Sequence, residues 1–132
     1  MKHFLALDVG TRRTGVAYAS EDVGIALPLP TLHHKTKEEF GECVRRVCSE
    51  RKISHLIIGL PKLPSGDEGE QAGIVREYVC ELASIGAEII YIDERYTTPN
   101  AKMRTSKNDV VRNKMDDNAI AAVAILGKYL GY

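Results

Sequence analysis

The spacing of apolar residues along the chain changes period several times, and each change marks an element. HFLALD, residues 3–8, is apolar up to its last position and predicts a short buried strand. TGVAYAS, 14–20, predicts a second strand, joined to the first by a tight turn that uses Gly10 and Gly15. IALPLPTL, 25–32, reads as extended; Pro28 and Pro30 assign it to a sheet edge, where a missing N–H breaks no ladder. Three successive strands make an antiparallel meander. Over 36–52 the period becomes helical, with Phe40, Cys43, Val44 and Val47 on one face and charges between them. HLIIGL, 55–60, is a fully apolar, central strand, and PKLPSGDEG, 61–69, is a loop by its Pro and Gly content. Ala72, Val75, Val79 and Leu82 predict a second helix over 70–85, and EIIYIDE, 88–94, predicts another buried strand. TTPNAKMR opens a short helix with Thr98 as cap and Pro99 in the first position. SKNDVVRNK, 106–114, has no period and reads as a mobile loop, whereas DDNAIAAVAILGKYL, 116–130, is an Ala-rich helix.

The order β-β-β-α-β-α-β-α-α predicts an α/β fold: a mixed five-stranded sheet, a meander followed by parallel strands, flanked by helices. The 132 residues form one domain on this reading, spanning 1–132, with no repeat, linker or low-complexity segment.

Charge sharpens the picture. Eighteen basic residues balance eighteen acidic ones, so the whole molecule exerts no net pull on a polyanion. Any grip on nucleic acid must come from local patches. One such stretch is 99–115, where Lys102, Arg104, Lys107, Arg112 and Lys114 face one acid, Asp109. Cys43, Cys48 and Cys80 are odd in number and not spaced as C-x-x-C; they read as small core residues in a reducing compartment rather than a zinc site. No apolar run approaches the length of a membrane span and the N-terminus is a strand, so a cytoplasmic protein with no membrane partner is expected.

The acids are placed unusually. Asp8 ends the first strand, Asp93 and Glu94 end the last, and Asp116 and Asp117 open the final helix. Parallel pairing of the first and fourth strands brings strand ends to one edge, where the helix start can cover them. Gathered carboxylates repel unless one takes a proton or a hard dication sits among them. Acids at helix starts are equally explained as caps.

DVGTRRTGVAYAS, IIGLPKLPSGDEG, YIDERYTTPNA and DDNAIAAVAILGKYL, in this order and spacing, resemble the YqgF/RuvX family, a bacterial group of pre-16S rRNA nucleases and Holliday junction resolvases. The match spans nearly the whole chain. It implies an RNase H-like fold and a Mg²⁺- or Mn²⁺-dependent phosphodiester hydrolase that works with two ions once substrate is bound. It implies that Asp8 is a catalytic metal ligand and that the second comes from the D-E-R segment, Glu94 in preference to Asp93. Family members usually carry an Asp three residues before the Ala pair of the last helix. That position is Asn118 here, so Asp117 is the expected third ligand; otherwise the site is weakened or catalysis lost.

Gly10, Arg12, Arg13, Lys62, Arg95 and Thr97 are the expected substrate contacts, with the glycines serving the turn as readily as a phosphate. The implied partner is nucleic acid, structured RNA or branched DNA, met by a monomer or a homodimer. Precursor 16S rRNA is the first substrate expected and a four-way junction the second; a resolvase requires paired sites and hence a two-fold dimer. DVGTRRTG also resembles the first phosphate loop of actin-like and sugar-kinase ATPases, which use two such domains. A non-catalytic RNA- or ribosome-binding domain is the remaining reading, on account of Asn118.

Overall fold

The computed structural model describes residues 1–94 and 116–132. The helix expected from Thr98, the loop over 106–114 and the basic stretch 99–115 lie outside them. The strands are β1 (His3–Asp8), β2 (Arg13–Ser20), β3 (Leu27–His33), β4 (His55–Leu60) and β5 (Glu88–Asp93). They form one sheet in the order β3-β2-β1-β4-β5. The first three pair antiparallel, and β1, β4 and β5 run parallel. β3, with its two prolines, is the edge strand that the sequence predicts.

Alternation in the strands makes two apolar faces. Leu5 and Leu7 of β1, with Leu56, Ile58 and Leu60 of β4, face a layer built from α1 (Lys37–Arg51) and α2 (Glu70–Val79). Phe4, Ala6, Ala17, Ala19 and Ile57 face the last helix, α3 (Asp117–Leu130), through Ala122, Ile125 and Leu126. The small residues on this second face let a single helix approach the sheet closely. Central β4 is covered on both sides, which is why it reads as continuously apolar.

Two details depart from expectation. The second helix does not run unbroken to 85: it tightens into a 3₁₀ turn over Cys80–Ile85 and stops at Gly86, which is left-handed with φ 85°. Three residues per turn stack Leu82 over Val79, and both stay buried. The cysteines also differ from a set of core residues. Cys48 is buried, Cys43 only partly, and Cys80, at the start of the tightened turn, is exposed; all three are free thiols. No helix among the described residues is long and apolar enough to cross a membrane.

Candidate metal centre and active site

The parallel register puts the carboxyl ends of β1, β4 and β5 side by side. Leu7 is level with Ile58, so Asp8 is level with Gly59, and Leu60 is level with Asp93. On the other side Asp8 pairs with Gly15 of β2. Asp8 thus lies between two glycines in one row across the sheet, on the face covered by α3.

Those glycines are notches. A Cβ on Gly59 would lie 2.5 Å from the Glu94 carboxyl carbon, 2.7 Å from its Oε2 and 2.5 Å from Ile125 Cδ1. The Glu94 side chain therefore folds over Gly59 towards Asp8. The Glu94 amide donates to the Leu60 carbonyl at 3.1 Å, which carries the β4–β5 ladder one residue past β5. Ile90 and Ile92 belong to the α3-side cluster, so alternation assigns Glu94 to that face and Asp93 to the other. A Cβ on Gly15 would run into the Asn118 main chain, so the first turn of α3 rests on the residue opposite Asp8.

The helix start is tied down by Asp116. Its Oδ1 accepts from the Ala119 amide at 2.8 Å and from the Thr31 hydroxyl at 2.8 Å. These hydrogen bonds hold its carboxyl below the usual carboxylate range. Asp116 is a helix cap, and it anchors α3 to β3.

The electrostatics follow from this packing. Burial pushes the Asp8 carboxyl up. Glu94 is pushed up to about 7, first by burial and then by the negative charge of Asp8, with Lys128 pulling the other way. The negative charge of Asp8 adds to burial at Glu94, so the cost of bringing the two together is felt at Glu94. Lys128 sits at this edge, its Nζ donating to the Asp93 carbonyl at 2.7 Å. The pair suits a hard dication: two half-buried carboxylates, oxygen donors only, one pushed up by burial and by the charge of the other.

Asp8 and Glu94 are thus brought together. Asp117 is exposed in the first turn of α3, and it is the neighbouring Asn118 whose main chain touches the Asp8 row. Among the described residues no group of three or more His, Cys, Asp or Glu is arranged to hold a metal ion. Gly10 shapes the β1–β2 turn, since a Cβ there would strike the Arg13 carbonyl. Arg12 and Arg13 are exposed in that turn and Lys62 is half-buried just beyond β4, all at the acidic edge. Arg95 and Thr97 lie outside the described residues. Sequence reasoning missed Gly59 and Lys128. A glycine inside an apolar strand does signal a close approach; nothing local flags Lys128, which comes near Glu94 only through the packing of α3.

A five-stranded sheet of this order, helices on both faces and an acid pair at the parallel ends define the RNase H-like class. RuvC of Thermus thermophilus, solved in complex with a Holliday junction substrate, shares the fold at a TM-score of 0.62 and 15% identity, over 98% of this chain and 94% of that one. The model of the family described as RuvX, Holliday junction resolvase, matches residues 2–132. A protein of Fusobacterium nucleatum is 35% identical over 135 residues, covering 98% of this chain and 97% of its own length. One of Lactococcus lactis is 38% identical over 134 residues, covering 96% and 92%. Both relatives carry the name "Putative pre-16S rRNA nuclease". The chain belongs to the YqgF/RuvX family of nucleases, phosphodiester hydrolases whose fold and family imply dependence on a divalent metal.

Proposed function

We propose that this nuclease trims the 5′ end of precursor 16S rRNA in the cytoplasm, using Mg²⁺ or Mn²⁺ held by Asp8 and Glu94, with Asp117 as the third acid. The observation that carries the reading is the meeting of Asp8 and Glu94 over Gly59. Two carboxylates on separate strands, pressed together in a low-dielectric notch, gain most from a cation between them. When bound, a pair of such ions supplies an activated water and steadies the leaving oxygen. Asp8 contributes a carboxylate from the end of β1. Glu94 would hold the cation as its carboxylate, and Lys128 fixes the backbone beside it. Asp117 stands one residue from the point where α3 rests on the sheet and carries the charge that Asn118 lacks. Arg12, Arg13 and Lys62, with Gly10 giving close access and Arg95 and Thr97 following Glu94, hold substrate phosphates around the acids. A monomer suffices for trimming.

The test is Mg²⁺-dependent cleavage of an RNA carrying the 16S 5′ flank. Asp8→Asn and Glu94→Gln each lower the rate by on the order of a hundredfold or more with unchanged circular dichroism, and Asp117→Asn by at least about tenfold. Wild-type rates in Asp8→Asn overturn the site. Cleavage of a four-way DNA junction in preference to the RNA, by a two-fold dimer, selects the resolvase reading instead.

A further inference from the structure

The β1–β2 turn has a second flank. On the α1 side it opens into a cleft of about 260 Å³ lined by Arg12, Arg13, His33, His34, Lys35 and Glu39. Three cations face one carboxylate there, in a chain whose total charge is zero. None of the three makes an ion pair among the described residues. The Glu39 carboxylate is already engaged, accepting the Lys35 amide at 3.0 Å as part of the α1 cap.

His34 forms the inner wall. It is only 3% exposed, stacked edgewise on Phe40 and tilted against Tyr78. One ring nitrogen, Nε2, pairs with the Thr14 hydroxyl at 2.8 Å. The other, Nδ1, is buried. Burial keeps the imidazole neutral, although Glu39 and the Thr11 carbonyl favour its charged form. The tautomer in which Thr14 donates leaves the Nδ1 proton for the Thr11 carbonyl of the β1–β2 turn, which ties the ring to the wall of the basic cleft. A purely packing position against Phe40 and Tyr78 is met better by an apolar residue.

We propose that this cleft is a phosphate subsite, which takes one backbone phosphate of a bound nucleic-acid strand other than the phosphodiester that is cut. Arg12, Arg13 and Lys35 close on the phosphate oxygens, with the His34 ring as the wall behind them. The cleft shares the β1–β2 turn with Asp8, so a phosphate seated here fixes how far along the strand the acid pair falls. Phosphate contacts of this kind set register without reading bases. The identity of the strand rests on the nuclease reading; the anion chemistry does not.

The experiment uses the full chain in EDTA, so that cleavage is not needed. Inorganic phosphate is titrated while the His33 and His34 imidazole resonances are followed by ¹H–¹⁵N NMR. Saturable shifts at His34 are expected, and their absence overturns the subsite. Single-stranded RNA with the 16S 5′ flank is then bound under the same conditions and followed by fluorescence anisotropy. Arg12→Ala and Lys35→Ala each weaken binding by on the order of tenfold. Arg46→Ala, which removes an equal charge from the exposed face of α1, leaves affinity unchanged. Phosphate shifts combined with RNA affinity indifferent to Arg12→Ala and Lys35→Ala reduce the cleft to a small-anion site and overturn the strand assignment. Normal Mg²⁺-dependent cleavage by Asp8→Asn sinks the nuclease site and leaves the phosphate titration standing.

Discussion

At the scale of single residues, the least comfortable group in the fold is Glu94. Its carboxyl has an ordinary pKa of 4.5 and is pushed up to about 7 by burial and by Asp8. Between those values the folded chain holds a proton that the unfolded chain releases. Stability of the metal-free protein therefore falls as pH rises through that window, and is fully present below it. After discounting for the solvent that reaches the carboxylate, the loss is about 2 kcal/mol. Glu94→Gln removes the titrating group. Urea unfolding in EDTA at pH 5 and pH 8 is expected to show wild type losing that increment while Glu94→Gln keeps it. Addition of Mn²⁺ at pH 8 restores stability to wild type and not to the variant. An equal pH dependence in both proteins means that Asp8 and Glu94 do not share a charge.

At the scale of elements, the site is made by glycines as much as by acids. Gly59 gives Glu94 its place, and Gly15 gives α3 its seat. Gly59→Ala puts a methyl where the Glu94 carboxyl and Ile125 lie, so Mn²⁺ affinity measured by calorimetry is expected to fall at least about tenfold with the fold retained. Gly15→Ala drives a methyl into the Asn118 main chain and lifts the helix start, at a cost of about 1–3 kcal/mol in urea unfolding. Thr31→Val, which removes one of the two hydrogen bonds to the Asp116 cap, is milder, at about 1 kcal/mol. These couplings explain what could be read in advance. Strand and helix periods were legible because each element alternates or repeats against a core, and Asp8 was legible because a charge ended an apolar run. Asp93 against Glu94 stayed open because alternation fixes a face only once the strand's end is known. The helix start demanded the same precision: one residue is about 100° of rotation, enough to separate exposed Asp117 from Asn118 on the sheet. Asp116 turned out to be the cap that the bland reading of helix-start acids described. The Gly59 notch was hidden because its meaning lies on a neighbouring strand, and His34 because a polar pair after a strand gives no sign that a turn tucks one ring under Phe40.

At the scale of the whole molecule, neutrality makes affinity for a polyanion a local property. Eighteen charges of each sign leave no long-range attraction, so the salt dependence of RNA binding reports contacts rather than a field. For a single strand, log K falls with log salt by about 0.7 for each phosphate neutralised. The double variant Arg12→Ala with Lys35→Ala and the double variant Arg45→Ala with Arg46→Ala change the net charge by the same amount. The first pair lines the cleft beside Asp8, and the second lies on the exposed face of α1. If net charge governed binding, both would flatten the salt slope alike. Local contact at one phosphate predicts a flattening of about 0.7 for the cleft pair and none for the α1 pair, measured by anisotropy between 50 and 200 mM KCl in EDTA. Equal slopes in the two doubles would show that RNA is held by diffuse charge, and that the placement of cations around the acidic edge has no part in seating the strand.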